Sequence, residues 1–519
     1  MYSKTHLYPK LKNEHSGHGS ISFRHQQQPK HIAGAVTNRR YLMIILILFA
    51  FMFLFILIRY STIFAIFFPP DFCLNSFNRS SVVLEKMATT ETASIQAASE
   101  EENNITAGFC RSLIDGTANN VSSLGVLCCD RTHVRTDICY MNGDVRTGGR
   151  RRRDKSLSIF LYNISDDDDR LVREKIRPYT RKWEKPIMST IDELTLDPIF
   201  KNDVLLSDDK RMKCDVEHKV PGMVFSAGGY TGNAYHEFND GLIPLFLTTE
   251  RFKGEVVLLI LDYRSWWMSK YESLIKKISK YEIIKLGVDR RVHCFPEMIV
   301  GMKIHGELSI DPQLMPDGMQ KFKALLDESF GSTDHHHQLI LPKRSPLRKK
   351  PILTIIVRKE TRVLLNLDDV IRLCNTIGFQ VKIIIPAPEI PLTEIHHILS
   401  TSDVMVTVNG AAMTHFFFTR PGTVLIQIVP LGLNEAGDKF CGQPAKMFGL
   451  EYVEYRIIPK ESSLSKEYGP NTAIISNPMK INRKGWQHTK KFYLGHQNIT
   501  VDIKRFSNVV ARVYETLIN

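Results

Sequence analysis

The chain has 519 residues, 43% of them hydrophobic, and a formal net charge of +13. This length and composition exclude a disordered chain and leave room for roughly two or three domain-sized units with large cores. The first forty residues hold seven Lys or Arg and one Glu, so about half of the net charge belongs to that tail and does not indicate a nucleic-acid-binding surface.

An uncharged apolar stretch follows the basic tail. Tyr41–Ile58 reads YLMIILILFAFMFLFILI, and at ~1.5 Å per residue it would form about 27 Å of helix, enough to cross a bilayer core. The alternative is a cleaved signal peptide, whose apolar core is usually shorter, at ~7–15 residues. The positive-inside rule predicts a cytosolic tail over 1–40, a signal anchor over 41–68 and a lumenal remainder.

A lumenal location predicts N-glycosylation sequons and cysteines that can pair. All nine cysteines follow the anchor, and the odd number leaves at least one without a partner in the chain. The sequence does not determine how they pair. The sequons also follow the anchor, at Asn78, Asn104, Asn120, Asn163 and Asn498.

The remainder divides by composition. A Ser-, Thr- and Glu-rich stem is predicted over 69–108, an N-terminal α/β domain over 109–345 and a C-terminal Rossmann-like domain over 346–519. In the N-terminal domain, Val256–Asp262 is a predicted buried strand and Lys270–Ile284 a predicted helix. Two Rossmann-like domains that face a cleft are typical of the GT-B architecture. In the C-terminal domain, the predicted strands are Leu353–Arg358, Gln380–Ile385, Asp403–Val408 and Thr423–Val429, and the predicted helices are Leu367–Ile377, Thr393–Ser400, Ala412–Phe418 and Ile503–Ile518.

The stretch Phe225–Thr248, FSAGGYTGNAYHEFNDGLIPLFLT, combines a glycine-rich turn with acid-base side chains. Its glycines permit positive φ and close backbone approach. If Asn233–Leu247 is helical, His236 and Asp240 lie at i and i+4 on one face, where the carboxylate can orient the imidazole as a general base. The alternative is a helix N-terminus with a capped histidine. The turn residues concerned are Gly228, Gly229, Gly232 and Asn233.

In a second stretch, Val408–Leu431, a predicted strand ends, a tight turn follows, and a predicted helix begins. Free N–H groups at such a helix start, beyond the carboxyl end of a parallel strand, form a phosphate site. Arg358 and Arg362 end the neighbouring strand, and their guanidinium groups suit a diphosphate. The alternative is that Arg362 pairs with Asp368 or Asp369. The predicted donor-binding residues are Arg358, Arg362, Asn409, Gly410, Ala411, Ala412, Thr414 and His415.

Two further runs could hold a metal ion. Asp166–Asp169 (DDDD) resembles the DxD metal site of some sugar transferases, and His335–His337 lies in a polar span between the predicted domains. Both are interpreted as solvated loops, because adjacent like residues in a charged stretch specify no coordination geometry. No metal site and no cofactor are predicted.

Three long motifs in order resemble glycosyltransferase family 61, over roughly residues 205–515. They are GGYTGNxxHxFxDGxxPLF, RKxTRxxLN and xGAAMTHxxFxRPGxVxIQIVPLG, followed by PAKMFGLEYVEYRI. The segments GAAMTHF and EYVEYRI are most similar to those of the plant branch that decorates xylan with arabinofuranose or xylose. Members of the family commonly have His before the Gly-Ala of the third motif, whereas this chain has Asn409.

The resemblance implies an inverting GT-B enzyme in the Golgi that transfers a pentose from a UDP-sugar to xylan. An inverting transfer needs a base across the cleft from the diphosphate; we predict His236, with Asp240 orienting it or acting as the base itself. The expected partners are the donor, the glycan acceptor, the Golgi membrane and other Golgi transferases, but no nucleic acid. The alternatives are transfer to an N-glycan or to protein-linked sugar, and an inactive polysaccharide-binding or scaffold protein, which Asn409 would suit.

Overall fold

The computed structural model describes residues 106–118, 125–148, 157–164, 171–200, 212–331, 350–387 and 390–519. The predicted tail and anchor and most of the stem lie outside these ranges, as do the DDDD and HHH runs. Ala97–Asn519 forms one compact unit. Among the described residues, no helix has the length and apolarity to cross a membrane. The anchor at Tyr41–Ile58 stays a prediction.

The first sheet has ten strands and mixed topology. Its order is β4-β5-β3-β2-β10-β7-β8-β9, with β1 paired to β2 and β6 paired to β10. The strands are β1 Val126–Asp130, β2 Ile138–Thr147, β3 Leu157–Ile164, β4 Glu174–Ile176, β5 Leu194–Phe200, β6 Val216–Glu217, β7 Gly222–Ser226, β8 Val257–Leu261, β9 Ile284–Lys285 and β10 His293–Val300. Strands β7, β8 and β9 run parallel, whereas β1, β2 and β3 pair antiparallel. The N-terminal half is therefore Rossmann-like only in part.

The second sheet is wholly parallel, as predicted. Its order is β12-β11-β13-β14-β15. The strands are β11 Ile352–Ile356, β12 Gln380–Ile384, β13 Val404–Val408, β14 Val424–Val429 and β15 Glu451–Arg456. Strands β11, β13 and β14 are buried at every residue, which is expected where both faces of a parallel sheet are covered. The four strands predicted for this half are confirmed, and β15 was not predicted.

The helices agree less well than the strands with the predictions made from the sequence. Leu367–Ile377 and Ile503–Ile518 are confirmed with their predicted bounds. The prediction Lys270–Ile284 was wrong at both ends, since the helix begins at Ser265 and ends at Ile278, where Ser279 turns extended. The other helical segments are 106–115, Lys185–Met188, Ala234–His236, Glu237–Leu242, Ile243–Thr249, Glu250–Phe252, Gly318–Phe330, Leu392–Ser400, Ala411–Phe418, Asn434–Gly437, Asp438–Gly442, Gln443–Met447, Pro459–Glu461, Leu464–Tyr468, Ala473–Ser476, Pro478–Asn482, Trp486–Thr489 and Lys490–Leu494.

Six cysteines pair within the N-terminal half. The disulfides are Cys110–Cys128, Cys129–Cys139 and Cys214–Cys294. Cys129–Cys139 closes the base of the loop between β1 and β2, a loop that carries one of the site residues described below. Cys374 and Cys441 are free and buried.

An aromatic junction joins elements that follow the two sheets. Phe238 stacks on Phe417, with ring centroids 5.5 Å apart, and meets Phe418 edge to face at 6.1 Å. Phe322 packs edge to face against both Phe238 and Phe417. All four side chains are fully buried. The Phe225–Thr248 and Val408–Leu431 stretches are therefore in direct contact.

Candidate functional site

The helix that follows β7 carries the predicted acid-base pair. It runs without interruption from Ala234 to Thr249, and its middle turn, Glu237–Leu242, is a π-helix. Pro244 has no N–H to donate to the Asp240 carbonyl in the α-helical pattern, and that carbonyl accepts a hydrogen bond from the Thr180 hydroxyl at 3.0 Å. π-turns of this kind occur frequently at functional sites.

The glycine turn enters this helix in a defined geometry. Gly229 has φ 61°, and a Cβ there would overlap the Tyr179 ring, so the position requires glycine. Gly228 N donates to Ser226 Oγ at 2.9 Å and Gly232 N to Glu237 Oε1 at 3.2 Å. Asn233 caps the helix, because its Oδ1 accepts from Tyr235 N. The N-cap of this helix is thus Asn233, and a role of His236 as a base rather than as a structural residue stays a prediction.

His236 and Asp240 form the predicted dyad. His236 Nδ1 lies 2.7 Å from Asp240 Oδ2. Arg181 Nη2 also lies 3.1 Å from this nitrogen. In the tautomer that donates from Nδ1 to the ionised carboxylate, Nε2 is the nitrogen that can take a proton. The His236 side chain is 17% exposed and that of Asp240 is not exposed at all. The accessible member of the pair is therefore the imidazole.

Both oxygens of Asp240 are occupied by donors. Oδ2 accepts from Arg181 Nε at 2.8 Å, in addition to His236, and Oδ1 accepts from Arg135 Nη2 at 3.2 Å and Asn239 Nδ2 at 2.7 Å. Burial on its own raises the pKa of Asp240, but the hydrogen bond from His236 and the charge of Arg181 outweigh it, so the pKa is below its ordinary value. Asp240 is suited to orient His236 and poorly suited to act as the base itself.

A second ring of contacts surrounds the dyad. Arg181 Nη1 binds Glu184 Oε1 at 2.7 Å, and the Tyr230 hydroxyl donates to Glu184 Oε2 at 2.7 Å. The Tyr230 ring stacks on His236 with centroids 4.2 Å apart. Burial and the hydrogen bond to Glu184 raise the pKa of Tyr230 to about 12, so it stays a neutral donor. These contacts fix the plane of the imidazole.

Glu237, the residue after His236, has its carboxylate engaged elsewhere. It is buried, and its Oε2 accepts from Lys270 Nζ at 2.8 Å and from the Tyr271 hydroxyl. The carboxylate serves to tie the helix Ser265–Ile278 to the helix that carries the dyad.

Arg358 and Arg362 lie together beyond the carboxyl end of β11. Arg358 Nε donates to the Thr361 carbonyl at 2.8 Å, and Arg362 Nη1 donates to the Asn409 carbonyl at 3.0 Å. Burial and the charge of Arg358 lower the pKa of Arg362 to about 9, and burial lowers that of Arg358. Two partly buried like charges side by side would suit the binding of an anion.

Neither guanidinium has a carboxylate partner within 4 Å among the residues described here. Asp369 instead pairs with Arg372, one turn along the same helix. The alternative that Arg362 is held by Asp368 or Asp369 is therefore wrong. The Arg362 Nε is also buried without a hydrogen-bond partner in the described chain.

Gly410 lets the backbone approach this pair. It has φ 154°, and a Cβ at this position would overlap the Arg358 guanidinium. The helical segment predicted over Ala412–Phe418 is a 3₁₀-helix that spans Ala411–Phe418. Thr414 and His415 are buried in it, and burial lowers the pKa of His415 to about 4, which keeps the ring neutral. Direct contact of Ala411, Ala412, Thr414 or His415 with a donor stays a prediction.

A chain of side-chain contacts connects the arginine pair to the dyad. The Asn409 Nδ2 donates to Cys441 Sγ at 3.8 Å. The preceding residue, Phe440, packs edge to face on Tyr235, with centroids 6.1 Å apart, and Tyr235 packs edge to face on His236 at 5.1 Å. The two halves of the candidate site are therefore neighbours.

Sequence reasoning missed the arginines that hold Asp240. Arg135 and Arg181 are 105 and 59 residues away from it along the chain, a separation at which no periodicity operates. Arg135 and Tyr235 also share the carboxylate of Glu307. The one available signal was the stretch YTRKWE around Arg181, in which charged and aromatic residues are adjacent.

The remaining predictions from the sequence concern metal binding and N-glycosylation. No group of three or more His, Cys, Asp or Glu side chains in the described part of the chain could hold a metal ion, and metal independence stays a prediction. Asn163 lies in β3. Asn498 is half-buried, and its Oδ1 accepts from Val363 N at 2.9 Å. Asn78, Asn104 and Asn120 lie outside the described residues, so glycosylation is untested.

The comparisons with known proteins agree with the sequence motifs. The family described as Glycosyltransferase 61 matches residues 260–426. Xylan glycosyltransferase MUCI21 of Arabidopsis thaliana is 44% identical over 74% of this chain and 78% of that protein.

Two proteins of Oryza sativa subsp. japonica are also similar. Beta-1,2-xylosyltransferase XYXT1 is 34% identical over 75% of this chain and 84% of its own length. Alpha-1,3-arabinosyltransferase XAT3 is 33% identical over 77% of this chain and 67% of its own length. Identity at this level over most of both chains establishes common membership: the chain belongs to glycosyltransferase family 61 and is a glycosyltransferase.

Proposed function

We propose that this enzyme transfers a pentose, arabinofuranose or xylose, from a UDP-sugar to xylan, with inversion at the anomeric carbon. The observation that carries the proposal is the partly buried Arg358–Arg362 pair, which has no carboxylate within 4 Å in the described chain and lies close to the His236–Asp240 dyad. The choice of pentose and xylan is supported by the similar proteins, which are a xylan glycosyltransferase, a beta-1,2-xylosyltransferase and an alpha-1,3-arabinosyltransferase.

The donor diphosphate would lie against the arginine pair. Two guanidinium groups provide charge-assisted hydrogen bonds to phosphate oxygens, and the backbone at Gly410 can approach because no side chain intervenes. An anion there also relieves the repulsion between the two arginines, so binding energy is available that a neutral ligand could not release. The departing UDP would be stabilised by the same groups.

The acceptor hydroxyl would be deprotonated by His236. Nε2 takes the proton as the acceptor oxygen attacks the anomeric carbon from the face opposite UDP. Asp240 then stabilises the imidazolium through the 2.7 Å hydrogen bond to Nδ1. The charge on UDP is compensated by arginines, so we propose that no divalent ion is required and that the DDDD run is dispensable.

We further propose a GT-B arrangement and a Golgi, type II topology. The wholly parallel second sheet that ends at the arginine pair supports the first. The basic tail, the apolar Tyr41–Ile58 stretch and the cysteine pairs after it support the second.

A transfer assay tests the proposed reaction. The full chain, solubilised from membranes, is expected to transfer pentose from UDP-arabinofuranose or UDP-xylose to xylo-oligosaccharides, with an inverted anomeric configuration detected by NMR. EDTA, or changing Asp166–Asp169 to Asn, should leave the rate unchanged. Failure of every pentose donor would contradict the function, and loss of transfer in EDTA would contradict metal independence alone.

Substitution of the arginine pair tests the donor site. Arg358→Ala and Arg362→Ala should each weaken UDP binding by about 1.5–3 kcal/mol, or roughly 10- to 150-fold in Kd by calorimetry, because a hydrogen bond to a charged group is lost. Arg372→Ala is the control, since Arg372 is exposed and already paired with Asp369. Unchanged UDP affinity in both variants would assign the pair a structural role.

The dyad is tested by two variants that should differ in stability. His236→Ala should lower kcat by ~10²–10⁴-fold with little change in Tm or UDP affinity, because general-base catalysis is lost at a partly exposed side chain. Asp240→Asn should also lower Tm, because two buried guanidinium groups lose their anion, at a cost of about 3–5 kcal/mol. His488→Ala, at an exposed histidine elsewhere, is the control. A His236→Ala enzyme with parental kcat would exclude the imidazole as the base.

Topology is tested in sealed Golgi vesicles. Added protease should remove only about the first forty residues, and glycosidase should lower the apparent mass, because the charge asymmetry around Tyr41–Ile58 directs the rest of the chain into the lumen. A C-terminus that is degraded in intact vesicles would contradict this orientation.

A further inference from the structure

Trp183 is a half-exposed tryptophan beside the dyad. The exposed fraction of Trp183 is 47%. The guanidinium carbons of Arg135 and Arg181 each lie 5.1 Å from its ring centroid. These are the two arginines that bind Asp240, so the indole is separated from the dyad by a single layer of side chains.

The contacts on Trp183 hold the ring while leaving part of it accessible. Cation–π contact with two guanidinium groups restricts the orientation of the indole. Arg181 also lies 5.7 Å from the ring centroid of Tyr230, which stacks on His236. A continuous chain of side-chain contacts therefore leads from the exposed ring of Trp183, through the buried Arg181 and through Tyr230, to the proposed base His236.

A neutral polysaccharide needs an exposed aromatic surface of this kind. A chain of pentopyranose rings has no charge, and its recognition depends on hydroxyl hydrogen bonds and on the apolar C–H faces of the rings. Rigid aromatic side chains provide contact area for such faces at a small cost in side-chain entropy. A sugar next to the one whose hydroxyl reaches His236 would meet this surface first.

We propose that Trp183 is an acceptor-binding residue, on which one ring of a neutral, linked pentopyranose chain stacks beside the sugar that is glycosylated. The proposal rests on the proposed function for the identity of the acceptor. It adds a subsite on the N-terminal half that the sequence motifs do not include.

The test separates acceptor binding from chemistry. With the full chain and xylohexaose, Trp183→Ala should raise the acceptor KM at least about tenfold, while kcat changes by no more than a few-fold and the Kd for UDP stays the same, since aromatic stacking is removed and the donor site is untouched. Trp183→Tyr should recover much of the lost acceptor affinity, because it restores a flat ring.

The control variant is Tyr281→Ala. Tyr281 is also an exposed aromatic residue, but it precedes β9 and donates to Glu255, which precedes β8, so it lies at the amino edge of the parallel strands. The dyad follows the carboxyl end of β7 instead. Tyr281→Ala should leave acceptor KM and kcat at the parental values.

Two outcomes would overturn the proposal. One is a parental acceptor KM in Trp183→Ala; the other is a fall in kcat, in acceptor-independent UDP-sugar hydrolysis and in Tm together, which would show that the ring only braces Arg135 and Arg181. Direct titration of the parental and Trp183→Ala chains with xylohexaose, without donor, distinguishes the subsite from the reaction. If the parental chain binds xylohexaose but transfers nothing, the proposed function fails and the subsite is still tested.

Discussion

The candidate site depends on one buried charge, the carboxylate of Asp240. A carboxylate that is fully removed from water costs several kcal/mol unless it is paired and hydrogen-bonded on both oxygens. Arg135 supplies one partner from the disulfide-closed loop between β1 and β2, and Arg181 supplies another from the segment before β5. Three distant parts of the chain thus meet at one residue, and the orientation of His236 follows from that meeting.

The arginine pair near the second sheet has the opposite electrostatic character. At Asp240 a fully buried anion is held by two arginines. Arg358 and Arg362, in contrast, have no carboxylate within 4 Å in the described chain, although the charge of Glu360 acts on Arg358. Burial together with mutual repulsion lowers the pKa of Arg362 to about 9. The first arrangement favours rigidity, because both carboxylate oxygens accept hydrogen bonds from buried or partly buried groups. The second favours ligand binding, because the strongest available partner of the pair is an external anion.

The sequence predicted those parts of the molecule that local pattern determines. The parallel strands β11 to β14 are runs of apolar residues between turn signals, and Leu367–Ile377 shows a clear 3.6-residue period, so their bounds were accurate. The contacts around Asp240 could not be predicted, because the partners are 59 and 105 residues away. The 3₁₀ form of Ala411–Phe418 was also missed. Phe417 and Phe418 are packed into the aromatic junction there, and tertiary packing overrides helix propensity.

Position 409 shows why a departure from a family motif does not by itself remove a site. Asn409 replaces a common histidine, and an asparagine cannot act as a base. In this fold, however, the group of Asn409 that contacts Arg362 is the backbone carbonyl, at 3.0 Å, which any residue supplies. The side chain is turned toward Cys441, whose pKa burial raises to about 12, so this neighbour is a neutral thiol. The turn can therefore keep the arginine pair in place without the histidine, while the proposed proton transfer belongs to the other half of the site, where His236 has a carboxylate to orient it.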